Sequence, residues 1–218
     1  MSHVAIVTDS ASDLPPDVAA AAGITVVPLV VSFGAETFRA GENLSTEQFW
    51  ARMLAPDAPF PTTAAAAPGD FLNAFRAAFD AGADSVVCIT VSGDLSGTLK
   101  SANVAVGQLP DREIHVVDSR TASMGHGMLA QIASELSVEG VSGAEIARVI
   151  EHRKEDVDLF VALDTLEYLK RGGRISGARA AIGGMLNVKP IITVQHGIVE
   201  NAERFRSRRK RASVSWSC

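Results

Sequence analysis

Apolar and polar positions alternate between two regimes along this chain. Short apolar runs bounded by small polar residues recur at residues 4–8, 24–31, 85–91 and 113–117, as buried parallel strands do. Between them lie stretches with helical period. Pro15-Pro16 opens one over residues 17–22, which Gly23 stops. Ser45 and Gln48 form a capping-box pair before residues 49–54. Phe71, Phe75 and Phe79 recur at four-residue spacing on a helix ended by Gly82. That stripe reads first as a core face, which is compatible with its also being the wall of a ligand cavity. Further helices are predicted near residues 98–106 and 124–136, and from Ser142, with Glu145 as its capping partner. The segment 56–61, with three prolines, reads as a loop.

Strands alternating with helices predict an α/β fold, a doubly wound parallel sheet over residues 1–154. A second, smaller α/β unit with a mixed sheet is expected over 155–218. It comprises a strand at 159–163, a short helix at 164–171 stopped by Gly172-Gly173, and a hairpin whose turn is Gln195-His196-Gly197.

Composition narrows the function. Of 218 residues 47% are hydrophobic and 21% charged, which excludes a disordered chain. Only 6% are aromatic, so aliphatic side chains must fill the core. The formal net charge of -5 argues against nucleic-acid binding through a bulk positive field. Six of the basic residues crowd into 204–211, a run that reads as a solvated segment, or alternatively as a patch for nucleic acid or membrane. Cys88 and Cys218 give neither a disulfide framework nor a zinc spacing, which fits a reducing compartment. The N-terminal stretch lacks a basic n-region, and the apolar run 18–31 is interrupted by Gly23 and Pro28 and too short to span a bilayer. A cytoplasmic protein without stable membrane insertion is expected.

Ligands of open parallel sheets bind outside the carboxyl ends of the strands. Three such ends are polar here: Thr8-Asp9-Ser10, the turn from Ser92 to Thr98, and Val117-Asp118-Ser119. In the second, Gly93 and Gly97 let backbone approach a ligand, while Ser96 and Thr98 put hydroxyls at a helix N-terminus. An anion site and an ordinary N-cap are equally good readings. No Walker lysine is present, and the G-x-S-x-G elbow of serine hydrolases is missed by one residue. Asp9, Asp94 and Asp118 together could hold magnesium, as in a metal-dependent phosphatase or phosphotransferase. Thr62-Thr63, after Pro61, read either as a polar loop or as further donors to an anion at Ser96. The five histidines lack metal spacing, and most read as surface or turn residues.

Six motifs follow in order: Thr8-Asp9-Ser10-Ala11-Ser12-Asp13; Pro61-Thr62-Thr63; Ser92-Gly93-Asp94-Leu95-Ser96-Gly97-Thr98; Val117-Asp118-Ser119; Lys170-Arg171-Gly172-Gly173-Arg174-Ile175-Ser176; and Leu186-Asn187-Val188-Lys189-Pro190. This succession resembles the DegV family of bacterial fatty-acid-binding proteins over nearly the whole chain. The resemblance implies two α/β domains with a long-chain fatty acid between them. It implies that the carboxylate rests on Ser96 and on Thr63, with the adjacent Thr62 as the alternative since the threonine pair aligns equally one residue over, and that Gly97, Arg174 and Arg206 are further binding residues. It implies a lipid-binding protein rather than an enzyme, with no cofactor and no metal, and for some members a role as the binding subunit of a fatty-acid kinase. Two departures stand out. Ala64-Ala65-Ala66-Ala67 replaces a segment that carries hydroxyls in the family. Family members also continue beyond the equivalent of Cys218, so the second domain is expected to be incomplete. No nucleophile–base pair stands out in the sequence, which suits carrying rather than catalysis.

Overall fold

In a computed structural model, residues 3–175 and 190–202 are described. The chain begins with strand β1 (Val4–Asp9), helix α1 (Pro16–Ala21) and strand β2 (Ile24–Val27). Strands β3 (Val30–Phe33) and β4 (Glu36–Arg39), helix α2 (Thr46–Met53), strand β5 (Thr62–Ala64) and helix α3 (Pro68–Asp80) follow. Next come β6 (Ser85–Thr90), α4 (Thr98–Val106), β7 (Glu113–Asp118), α5 (Ser123–Val138) and α6 (Gly143–Arg153). The remaining described elements are β8 (Phe160–Ala162), α7 (Glu167–Arg171), β9 (Ile191–Gln195) and β10 (Ile198–Asn201).

The central sheet has the order β2-β1-β6-β7, and its three pairings are parallel. Successive side chains of a strand point to opposite faces, so strands apolar at every position need cover on both sides. On one face Val4, Ile6, Val87 and Ile89 pack with Leu129 and Ala133 of α5 and Ile146 and Ile150 of α6. On the other, Val7, Val86 and Cys88 pack with Phe71 and Phe75 of α3 and Ala102 of α4. The phenylalanine stripe is therefore a core face: Phe71 and Phe75 are fully buried. Burial also pushes the Cys88 thiol up, which holds it protonated and unreactive.

The apolar run 24–31 is not one strand. Pro28 has no N–H to give to a ladder, and the chain turns there. Leu29 N–H donates to Ser10 Oγ at 2.9 Å, which anchors the turn. Beyond it β3 leaves the parallel sheet and pairs antiparallel with β4 on one side and β5 on the other. Helix α2 covers this small sheet through Phe49 and Met53, which meet Val31, Phe33 and Leu44. The capping box predicted at Ser45 and Gln48 is present. Thr62 and Thr63, read as a loop, belong instead to the edge strand β5, paired with Ser32 and Val31.

The third sheet, β10-β9-β8, is antiparallel in both of its described pairings. Ile192, Val194 and Val199 pack there with Ile175 and with Leu95 from the turn before α4. Gln195 opposes Ile198, so His196 and Gly197 form a two-residue hairpin loop, with φ of 49° and 88°. Both angles are positive, as a type I′ turn requires. The tip rests on the central sheet's strand ends: Ser92 Oγ donates to the Gly197 carbonyl at 2.7 Å, and an Arg120 guanidinium N–H donates to the His196 carbonyl at 2.7 Å.

Gly197 is thus constrained twice. A Cβ there would sit 2.6 Å from Asp94 Oδ2 and 2.8 Å from Ser92 Oγ. Gly173 also has a positive φ, of 76°, yet nothing lies within 4 Å of a Cβ placed on it. Gly173→Ala should therefore cost only backbone strain, about 1 kcal/mol. Gly197→Ala should cost about 1–2 kcal/mol more, through the displaced hairpin tip. Urea denaturation of both variants measures the difference. Equal losses would contradict the seating of the hairpin on the Ser92 turn.

Candidate functional site

Parallel pairing brings the carboxyl ends of β1, β6 and β7 to one edge, and their turns hold one another. Asp9 is buried and spans two of them: Oδ1 accepts from Ala11 N–H at 3.0 Å, and Oδ2 from Val91 N–H at 2.8 Å. Asp118 Oδ1 accepts from Gly93 N–H at 3.2 Å and from Arg120 N–H at 2.9 Å. Asp94 lies against the Gly197 hairpin tip. The magnesium reading needs these three carboxylates to converge on an ion. The structure instead commits Asp9 and Asp118 to backbone N–H groups. Among the described residues no group of three His, Cys, Asp or Glu side chains could hold a metal.

Desolvation raises the Asp9 carboxyl above its ordinary range, and the neighbouring His126 ring and the two N–H groups draw it part of the way back. His126 departs from the reading of most of the histidines: it is fully buried, whereas His3, His152 and His196 are exposed. Its Nε2 lies 2.7 Å from Thr8 Oγ1 and 2.9 Å from the Ile89 carbonyl, to which Thr8 Oγ1 itself donates. A carbonyl only accepts, so this arrangement places a proton on Nε2. Its sequence signal was the flanking pair Gly125 and Gly127. A Cβ on Gly125 would meet Thr121 Oγ1 at 2.8 Å, and one on Gly127 the Ser12 carbonyl at 2.7 Å. The two glycines let the first turns of α5 press against the turns after β1 and β7.

Above this framework Thr63, Ser96, Gly97 and Arg174 line one cavity of about 190 Å³. Leu29, Val91 and Leu95 supply its apolar wall. Thr62, the alternative in the threonine pair, is not part of the lining. Arg206 lies outside the described residues, as does much of the segment 186–190. Gly97 has an ordinary φ of -72°, and a Cβ on it would only touch Ala65 at 3.7 Å, so a side chain is not excluded there by conformation. Gly93 is the more constrained of the two, since a Cβ would meet Leu99 Cδ2 at 2.8 Å.

Ser96 is well disposed to donate. Its Oγ accepts the Thr98 N–H at 3.3 Å and lies 2.8 Å from Thr98 Oγ1. With the Thr98 hydroxyl as donor, both Ser96 lone pairs are used and its own proton is left for a ligand. Apart from Thr98 N–H, the first turn of α4 has no side-chain cap, Gly97 being its N-cap residue, so its next N–H groups add to the positive end of the site. Arg174 is fixed from the far side, its Nε donating to the Leu95 carbonyl at 3.1 Å. A second, open cavity of about 760 Å³ shares Leu95, Ser96, Gly97 and Arg174 and adds Lys100 and Asn103. The arrangement suits a carboxylate held by hydroxyls, helix N–H groups and a guanidinium, with an apolar wall beside it.

The comparisons with known proteins agree with this architecture. A family model described as "Uncharacterised protein, DegV family" matches residues 3–215. A DegV domain-containing protein of Caldanaerobacter subterraneus is 35% identical over 216 residues, which cover 99% of this chain and 75% of that protein. A Thermus thermophilus DegV family protein, described for its fatty acid binding, has a solved structure 39% identical in sequence. It superposes with a TM-score of 0.82 over 98% of this chain and 78% of its own. A stearic-acid-binding protein from Eubacterium ventriosum is 30% identical, with a TM-score of 0.82 over 92% of this chain and 69% of its own.

The raised Asp9 carboxyl gives a pH dependence of known sign. The folded state keeps this proton to higher pH than the unfolded state does. Between the ordinary aspartate value and the raised one, stability therefore falls as pH rises. Asp9→Asn removes this contribution, so the stability of the wild type relative to the variant should decline as pH rises from the ordinary aspartate value of 3.8 towards neutrality. Urea midpoints across that range measure it. A relative stability that climbs with pH would contradict the account.

Proposed function

The chain belongs to the DegV family, and on that footing we propose that it binds a long-chain fatty acid, with the carboxylate on Thr63 and Ser96. The carrying observation is that Thr63, Ser96, Gly97 and Arg174, spread over more than a hundred positions of sequence, line one cavity with an apolar wall. The solved relatives described as fatty-acid-binding support the ligand class. Thr63 and Ser96 donate hydroxyl protons, the first N–H groups of α4 add positive potential, and Arg174 balances the charge. Leu29, Val91 and Leu95 receive the first methylenes. Each buried methylene contributes about 0.8 kcal/mol, so a chain of ~15 supplies roughly 12 kcal/mol before the costs of ordering. The head group then needs orientation more than strength, and uncharged hydroxyls suffice.

The role is carriage rather than catalysis. The ligand lies between the first unit, to about residue 154, and the second, beyond it. A cytoplasmic location is part of this reading; among the described residues no helix is long and apolar enough to cross a membrane. The open 760 Å³ cavity beside Ser96 and Arg174 leaves the head group within reach of another protein. On this reading its partner is a fatty-acid kinase catalytic subunit that phosphorylates the presented carboxylate.

Ser96→Ala and Thr63→Val should each weaken palmitate binding at least tenfold, since a hydrogen bond to a charged group contributes about 1.5–3 kcal/mol. Thr62→Val should change it little. Titration with palmitate, alongside extraction and mass spectrometry of any co-purified acyl chain, provides the test. Unchanged affinity in both Ser96→Ala and Thr63→Val would refute the assigned head-group site.

A further inference from the structure

Outside the cavity, two segments that carry its donors are joined by a group of side chains with no assigned role. Phe60 stacks on Tyr168 with ring centroids 5.8 Å apart and planes inclined by 12°. The Arg171 guanidinium carbon lies 3.8 Å from the centre of the Phe60 ring, within cation–π range. Neither ring belongs to any of the apolar clusters described above. Tyr168 is 44% exposed, so the pair contributes little to the core.

Its position in the chain is what gives it consequence. Phe60 stands between Pro59 and Pro61, whose rings fix the backbone on either side. Thr63 follows three residues later, held in the ladder opposite Val31. Tyr168 and Arg171 are one helical turn apart and share a face of α7. The chain then folds back on that helix: Gly172 N–H donates to the Tyr168 carbonyl at 2.8 Å, and Arg174 N–H to the Leu169 carbonyl at 3.0 Å. Arg174 in turn holds the Leu95 carbonyl beside Ser96. A short, stiff path therefore runs from Phe60 to Thr63, and another from Tyr168 to Arg174.

We propose that Phe60, Tyr168 and Arg171 form a clasp of positioning residues that sets the distance between the Thr63 wall and the Arg174 wall of the head-group cavity. The proposal rests on the fatty-acid reading above. The clasp touches no ligand and acts through the two donors, so opening it should harm recognition of the carboxylate and spare recognition of the chain.

The test compares palmitate with hexadecanol, which has the same chain length and no charge, by displacement of a fluorescent fatty acid. Phe60→Ala and Tyr168→Ala should each weaken palmitate about five- to tenfold and leave hexadecanol within about twofold. The double variant should be little worse than either single one, and Tyr168→Phe should behave as wild type. In the ligand-free protein, hydrogen exchange at the amides of Thr63 and Arg174 should quicken in Tyr168→Ala. Parallel losses for acid and alcohol, or no loss for either, would overturn the clasp while leaving the head-group assignment to the Ser96 and Thr63 variants. If the wild type takes up no palmitate, the fatty-acid reading fails, and unchanged exchange in Tyr168→Ala would then overturn the clasp independently.

Discussion

Parallel pairing of β1 with β6, Val4 opposite Ser85 through Thr8 opposite Ile89, is the constraint on which the other features depend. Parallel strands cannot be joined by a hairpin, so each connection must cross over a face of the sheet. The helices then bury both faces, and the strands can be apolar throughout. The same geometry delivers the carboxyl ends of β1, β6 and β7 to one edge, where apolar sequence gives way to Asp, Ser and Thr. Buried Asp9 joins two of those ends through Ala11 and Val91. The desolvation it suffers is the cost of that join, and its hydrogen bonds offset part of it.

The cavity is assembled from pieces that this edge brings within reach. Ser96 comes from the turn after β6. Thr63 comes from the small antiparallel sheet, which exists because Pro28 ends β2 and frees β3 to pair elsewhere. Arg174 comes from beyond α7 and is held by the Leu95 carbonyl. The β9–β10 hairpin is seated on Ser92 and Arg120, so the third sheet is tied to the turn that carries Ser96. On the proposed reading, hydroxyls, helix N–H groups and one guanidinium hold an anion without a fully buried cation, whose desolvation would cost several kcal/mol.

Much of this was legible in the sequence, for physical reasons. The strands of the central sheet carry runs of consecutive apolar residues, Val4 to Val7 in β1 and Val86 to Ile89 in β6, so the pattern distinguishes them from loops directly. The phenylalanine stripe located α3, and Ser45 with Gln48 located α2. The antiparallel sheet was not legible. β5 has three residues, too few for any period to show, and Pro28 falls inside a run that otherwise reads as one strand. Within the site, the Ser96 turn was visible because glycine and hydroxyl residues follow an apolar strand directly. The buried place of His126 was not legible because a lone histidine has no periodic signal, and only its flanking glycines mark the close packing around it. The choice between Thr62 and Thr63 depends on which faces the cavity, and a two-residue repeat of the same side chain carries no such information. The clasp joins residues more than a hundred positions apart, and nothing local to Phe60 announces Tyr168 as its partner.

The central claim is that a fatty-acid carboxylate rests between Thr63 and Ser96, and a crystal structure of this chain grown with palmitate tests it most directly. Carboxylate oxygens are expected within about 3 Å of Thr63 Oγ1 and Ser96 Oγ, with the first methylenes against Leu29, Val91 and Leu95. A palmitate bound with its carboxylate elsewhere, or with its methyl end in this cavity, would contradict it.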